Sequence, residues 1–143
     1  MGILVRCLIV LFGYWLACVA AALVFTLGTL GPHWDDWMAL GLPSAALWPV
    51  VGVAAAIIAT VAVLPALLVI ALAEGFAWRS VVLYGSLGGG LALALGYGID
   101  FAGYAAGPDQ LLTRQREVLA ASGIAGGLVY WLVAGRRAGS WNA

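Results

Sequence analysis

The chain has no lysine and very little charge. Six arginines and six acidic residues balance to a net charge of zero over 143 residues. Charged side chains make up 8% of the chain, against about 25% in an ordinary soluble domain. So few charges cannot cover a water-facing surface, which excludes a soluble globular fold. The zero balance and the lack of any long basic patch exclude a nucleic-acid partner. There is one histidine, His33, so two imidazoles cannot hold a haem. The two cysteines, Cys7 and Cys18, form no Cys-x-x-Cys pair. Eleven helical steps separate them by about 16 Å of rise, beyond the Cα spacing of about 4.4–6.8 Å that a disulfide needs. They read as small apolar fillers.

Apolar residues make up 65% of the chain, and the mean hydropathy is +1.10. Four uncharged runs divide it: 28 residues between Arg6 and Asp35, 37 between Asp36 and Glu74, 20 between Arg79 and Asp100, and 18 between Glu117 and Arg136. Runs of about 18 or more are the membrane signature. The expected fold is all-α: an integral membrane bundle of four transmembrane helices in one domain, with spans at about 3–30, 45–73, 79–99 and 116–136. Gly31-Pro32 closes the first span, Pro49 sits in the first turn of the second, and Pro65 lies inside it. Gly107-Pro108-Asp109 reads as a helix start ahead of the fourth. Residues 1–25 resemble a signal peptide in part, but the apolar run continues to Leu30, so a retained anchor is expected. The arginines set the orientation. With both termini inside, Arg6, Arg79, Arg136 and Arg137 lie on the inner side, and Arg114 and Arg116 on the outer.

The stretch GPHWDDW, residues 31–37, holds the histidine beside two adjacent acids. His33, Asp35 and Asp36 are the one conceivable metal-ligand set. A firm site needs three or four ligands of fixed geometry, and no second histidine exists. We read the stretch as an outer loop, with Trp34, Trp37 and Trp48 anchored at the membrane boundary. No cofactor and no metal is expected.

The spans themselves carry no deep charge. That argues against proton relays and ion-coupled carriers, which keep an ionisable group in the membrane. Ser86 and Ser122 have no intramembrane histidine to activate them. Glu74 and Arg79 flank the connection between spans two and three, where they either tether it or stay solvated. Span three carries Gly85-x-x-x-Gly89 and span four Gly123-x-x-x-Gly127, with Ser86/Gly90 and Ser122/Gly126 one step on. Such faces bring helices close, either within one chain or between copies or partners. By helix rise, Tyr14, Trp15, Pro65, Tyr84, Tyr130 and Trp131 share one depth near the inner boundary. Tyr14, Pro65, Tyr84 and Tyr130 are therefore candidates for a slot that takes a lipid, quinone or other apolar ligand.

The C-terminal stretch SGIAGGLVYWLVAGRRAGSW, residues 122–141, resembles the end of small four-span proteins of bacterial inner membranes that carry no assigned activity. The resemblance implies a multi-pass setting in that membrane and no catalysis. The glutamate of small multidrug transporters is absent from the first span. The expected function is a non-enzymatic accessory or scaffolding subunit, bound in the lipid bilayer to a larger complex or to itself. The alternative is a channel or carrier for an uncharged or apolar solute.

Overall fold

The computed structural model describes residues 3–31, 34–39, 41, 44–76, 79–98 and 109–137. All regular structure among them is helical. In order these are α1 (Ile3–Leu30), α2 (Trp34–Ala39), α3 (Leu47–Gly75), α4 (Val81–Gly98) and α5 (Asp109–Val133), with 3-10 turns at Ser44–Ala46 and Gly135–Arg137. The physical reason is the solvent. Hydrocarbon offers no partner to a backbone N–H or C=O, so each spanning segment must bond to itself.

α1, α3 and α5 are long and apolar enough to cross a membrane, whereas the apolar stretch of α4, Val81–Gly96, is shorter. The 18 residues of α4 rise about 27 Å, close to the hydrocarbon thickness of about 30 Å. Together the four long helices make a membrane bundle. α3 continues helical through Pro65, whose missing N–H leaves the Val61 carbonyl without its usual ring. α5 begins at Asp109, well before the last uncharged run, as the helix-start signal predicts.

The helices alternate in direction. Arg6 on α1 meets Glu74 at the end of α3 and Ala134 just past α5. A Cβ on Gly126 of α5 would stand 3.1 Å from the Ala17 carbonyl oxygen of α1. α4 and α5 pack against each other, α5 packs against α1, and α1 against α3. α3 and α4 touch far less, so that seam of the bundle is loosely closed.

Small residues fill the contact faces: Ala22, Ala73 and Ala134 are fully buried. Large aliphatic side chains such as Leu4, Leu64 and Val82 point outward, which is the stable arrangement when the surroundings are lipid tails. The first turn of α2 carries Asp35 and Asp36, both exposed, where acids complement the helix N-terminus. Gly41 follows with φ +65°, a turn conformation that a side chain would strain.

The glycine faces are spent inside the chain. A Cβ on Gly88 would collide with the Gly123 carbonyl oxygen, and one on Gly127 with the Tyr84 carbonyl oxygen. A Cβ on Gly89 would press to 2.9 Å from Ile124, and one on Gly85 would rest 3.7 Å from Leu128. Gly85, Gly89, Gly123 and Gly127 therefore all face the α4–α5 contact, and Gly88, outside the motifs, approaches as closely as Gly123 and Gly127 do. Ser86 and Gly90 face outward, and a Cβ on Gly90 would meet open space.

Candidate functional site

The four long helices line an elongated, half-open cavity of about 420 Å³. That volume lies in the range of small-molecule sites, about 300–1,000 Å³. Each helix contributes a wall: Tyr14, Cys18 and Phe25 from α1, Ala54, Ile58 and Ile70 from α3, Tyr84, Leu91 and Gly96 from α4, and Gln115, Ser122 and Tyr130 from α5. The walls are aliphatic because each helix buries small or branched residues where it faces its neighbours. The glycines that draw α4 onto α5 also line the cavity at Gly88, Gly123 and Gly127.

The polar groups in this region are few. The Tyr14 hydroxyl donates to the Ala59 carbonyl at 2.7 Å, tying α1 to α3. The Ser122 hydroxyl is spent on the Leu119 carbonyl of its own helix at 2.8 Å. Tyr84 and Tyr130 close one end, with ring centroids 5.7 Å apart and planes tilted by 34°. Both rings are buried, and the Tyr130 hydroxyl has no hydrogen-bond partner among the described residues.

Behind the tyrosine pair lies a charge pair. The Arg6 Nη2 donates to Glu74 Oε1 and, at 2.9 Å, to the Ala134 carbonyl. The Arg6 side chain is 7% exposed and that of Glu74 16%. Arg6 Nε and Nη1 are buried and have no partner among the described residues. This corrects one expectation: Glu74 is not solvated at the surface but bonds across the bundle to Arg6. Arg6 is buried in the first turn of α1, at the end of the span and not deep within it. The reason is geometric: α1 and α3 are antiparallel neighbours, so Arg6 and Glu74 reach the same level, and each offsets the other's desolvation.

The proposed slot residues separate. Tyr14, Tyr84 and Tyr130 line the cavity; Pro65 does not, although Ala62 and Ala66 beside it do. Trp15 points outward at 60% exposure. Trp131 donates its indole N–H to the Arg79 carbonyl at 2.8 Å, and the Arg136 guanidinium lies 4.8 Å from its ring centre. These contacts fix the α3–α4 connection and the end of α5.

His33 lies outside the described residues. Asp35 and Asp36 stand exposed on α2, and among the described residues no three histidines, cysteines or acids gather as a metal site. Cys7 is exposed, Cys18 is buried, and both are free thiols. No sequence signal singles out Arg6 as buried, because its position near a helix start is also that of an ordinary interfacial anchor. Comparison with known protein families, with curated proteins and with solved structures finds no match to this chain.

Proposed function

We propose that this protein is a small, non-enzymatic carrier or binding protein for an apolar solute, held within its own helical bundle in the membrane. The cavity is the observation that supports this reading. It is walled by aliphatic side chains from all four long helices, and its loosest side is the α3–α4 seam. A molecule dissolved in the lipid tails would enter sideways through that seam without crossing water. The arginine distribution supports an orientation with both ends of the bundle's chain inside, and the C-terminal resemblance supports a bacterial inner membrane.

Photolabelling tests the reading. A diazirine-bearing alkane should mark cavity residues such as Ile58 and Leu119 in the purified protein. Ala66→Phe, which fills the cavity, should remove those marks, and Leu64→Phe on the lipid-facing side should not. Labelling confined to outward residues such as Leu64 and Leu68 would sink the proposal.

A second reading has its own support. Ser86 and Gly90 present a small-residue face outward on α4, which suits a helix of a partner or of a second copy. In that reading the chain is an accessory subunit. Native mass spectrometry after gentle extraction separates the two: a stoichiometric partner or dimer favours it, and a monomer carrying apolar adducts favours the carrier.

A further inference from the structure

The cavity is blind at one end and open sideways along the rest. α3 ends at Gly75 and α4 begins at Val81, and the bond from the Trp131 indole to the Arg79 carbonyl pins the join between them. Their other ends, Leu47 and Gly98, lie far apart in the sequence. The chain therefore ties the α3–α4 seam only at the end that carries the Arg6–Glu74 pair. Exposure follows the same gradient. Ile57 and Val61 line the cavity yet are 57% and 37% exposed, so they form its rim. Ile70, Tyr84 and Tyr130, at the charge-pair end of the lining, are all buried.

Depth sets the length of the occupant. On α3 the lining runs from Ala54 to Ile70, about 24 Å of helix rise. A cavity of about 420 Å³ drawn out to that length is narrow, the shape of a single chain. Val61 is the middle residue of α3, so with α3 centred in the bilayer Ile70 lies about 14 Å past the midplane. One leaflet fills only half of the hydrocarbon thickness of about 30 Å. The slot thus begins in one leaflet and ends in the other. Its hydroxyls are not on offer along the way: that of Tyr14 is spent on Ala59, that of Ser122 on Leu119, and the Tyr130 oxygen is covered by protein. A polar group carried inside would go unsatisfied, so the part that enters is hydrocarbon and the polar part stays at the mouth. The surrounding bilayer supplies such chains, already held by their head groups at the level of the open end. A sideways opening suits them, because the second chain of the same lipid has to remain outside.

We infer that the slot takes one acyl chain of a bilayer phospholipid from the leaflet at the Leu47 end of α3. The chain threads past Ile57 and Val61, crosses the midplane and ends against Ile70 and Tyr84, while the head group and the second chain stay outside the seam. This inference rests on the apolar-solute reading above and names the solute as part of a membrane lipid.

Four photoprobes test it on the whole protein in phosphatidylcholine vesicles. Three are phosphatidylcholines: a C18 chain with its diazirine near the carboxyl, the same chain with its diazirine at the tail end, and a C12 chain with its diazirine at the tail end. The fourth is a diazirine-bearing alkane. The first lipid should mark Ala54 and Leu95 near the open end. The second should mark Ile70 and Tyr84 in preference to Leu68 and Leu72, which face outward at the same level. The third should stop near Val61 and Ala62. Val69→Phe, which shortens the slot at its blind end, should remove the C18 tail label from Ile70 and Tyr84 and leave the label at Ala54. A lipid that stays wholly in the bilayer keeps its tail near the midplane and on outward residues. Tail labels confined to such residues, or falling on the same residues for C12 and C18, overturn the inference; if the alkane still marks the cavity, the apolar-solute reading stands. No labelling of the cavity by any probe overturns both. The chain-length comparison on the unaltered protein decides the matter even if the variant does not fold.

Discussion

Gly88 of α4 and Gly123 of α5 meet backbone to backbone, each occupying the space where the other's Cβ would collide with a carbonyl oxygen. This contact sets how near the two helices stand. It also sets the width of the cavity, which both residues line. Gly88→Ala or Gly123→Ala must push the helices apart, and overpacking of this kind costs about 1–3 kcal/mol or more. Gly90→Ala on the outward face should cost almost nothing and serves as the control. Thermal unfolding in detergent reads the difference; equal stability of all three would refute the contact.

The Arg6–Glu74 pair predicts a non-additive pattern. Arg6→Met or Glu74→Leu alone leaves a buried charge uncompensated, a loss of about 3–5 kcal/mol. The double variant replaces both charges with apolar groups and should recover most of that loss. A double-mutant cycle measures the coupling. If the two single losses simply add, the pair is solvated and the geometry described for it is wrong.

Tyr14→Phe removes a hydroxyl that bonds α1 to α3. Hydrogen bonds between membrane helices average about 0.6 kcal/mol, so the expected loss is small. It should appear chiefly as faster hydrogen exchange in α3, which is otherwise lightly held. Unchanged exchange in α3 would show that this bond does not hold it.

Orientation is open to cysteine labelling in a background without Cys7 and Cys18. Asp35→Cys on α2 should react with a membrane-impermeant reagent from outside the cell, and Phe76→Cys at the end of α3 should not. The reverse pattern would invert the topology read from the arginines.

The class of fold is legible because it depends on one coarse property. Long runs without charge admit only helices that satisfy their own backbone, and four such runs admit a bundle. Depth is legible for the same reason, since helix rise is a fixed increment. Azimuth is not. Tyr14 and Trp15 share a depth, yet one faces the cavity and the other faces lipid. Pro65 shares it too, but its neighbours Ala62 and Ala66 line the slot. The small-residue motifs announce close packing, and Gly123 and Gly127 do meet α4 backbone, but the crossing of the two helices also brings in Gly88, which no motif names. Arg6 is the clearest limit. Its burial depends on Glu74, 68 positions further along, and on a carbonyl 128 positions away, so no local pattern around Arg6 contains the information.

That separation has a consequence for how the protein is made. Arg6 leaves the ribosome 68 residues ahead of Glu74 and 128 residues ahead of the Ala134 carbonyl that receives its hydrogen bond. Until both have emerged, the guanidinium lacks its full set of partners and stays with water or headgroups. Its descent into the bundle is therefore a late step of assembly, taken once α5 is in place. A chain stopped after α4 would hold three of the four long helices and still lack the carbonyl that lets the first one close.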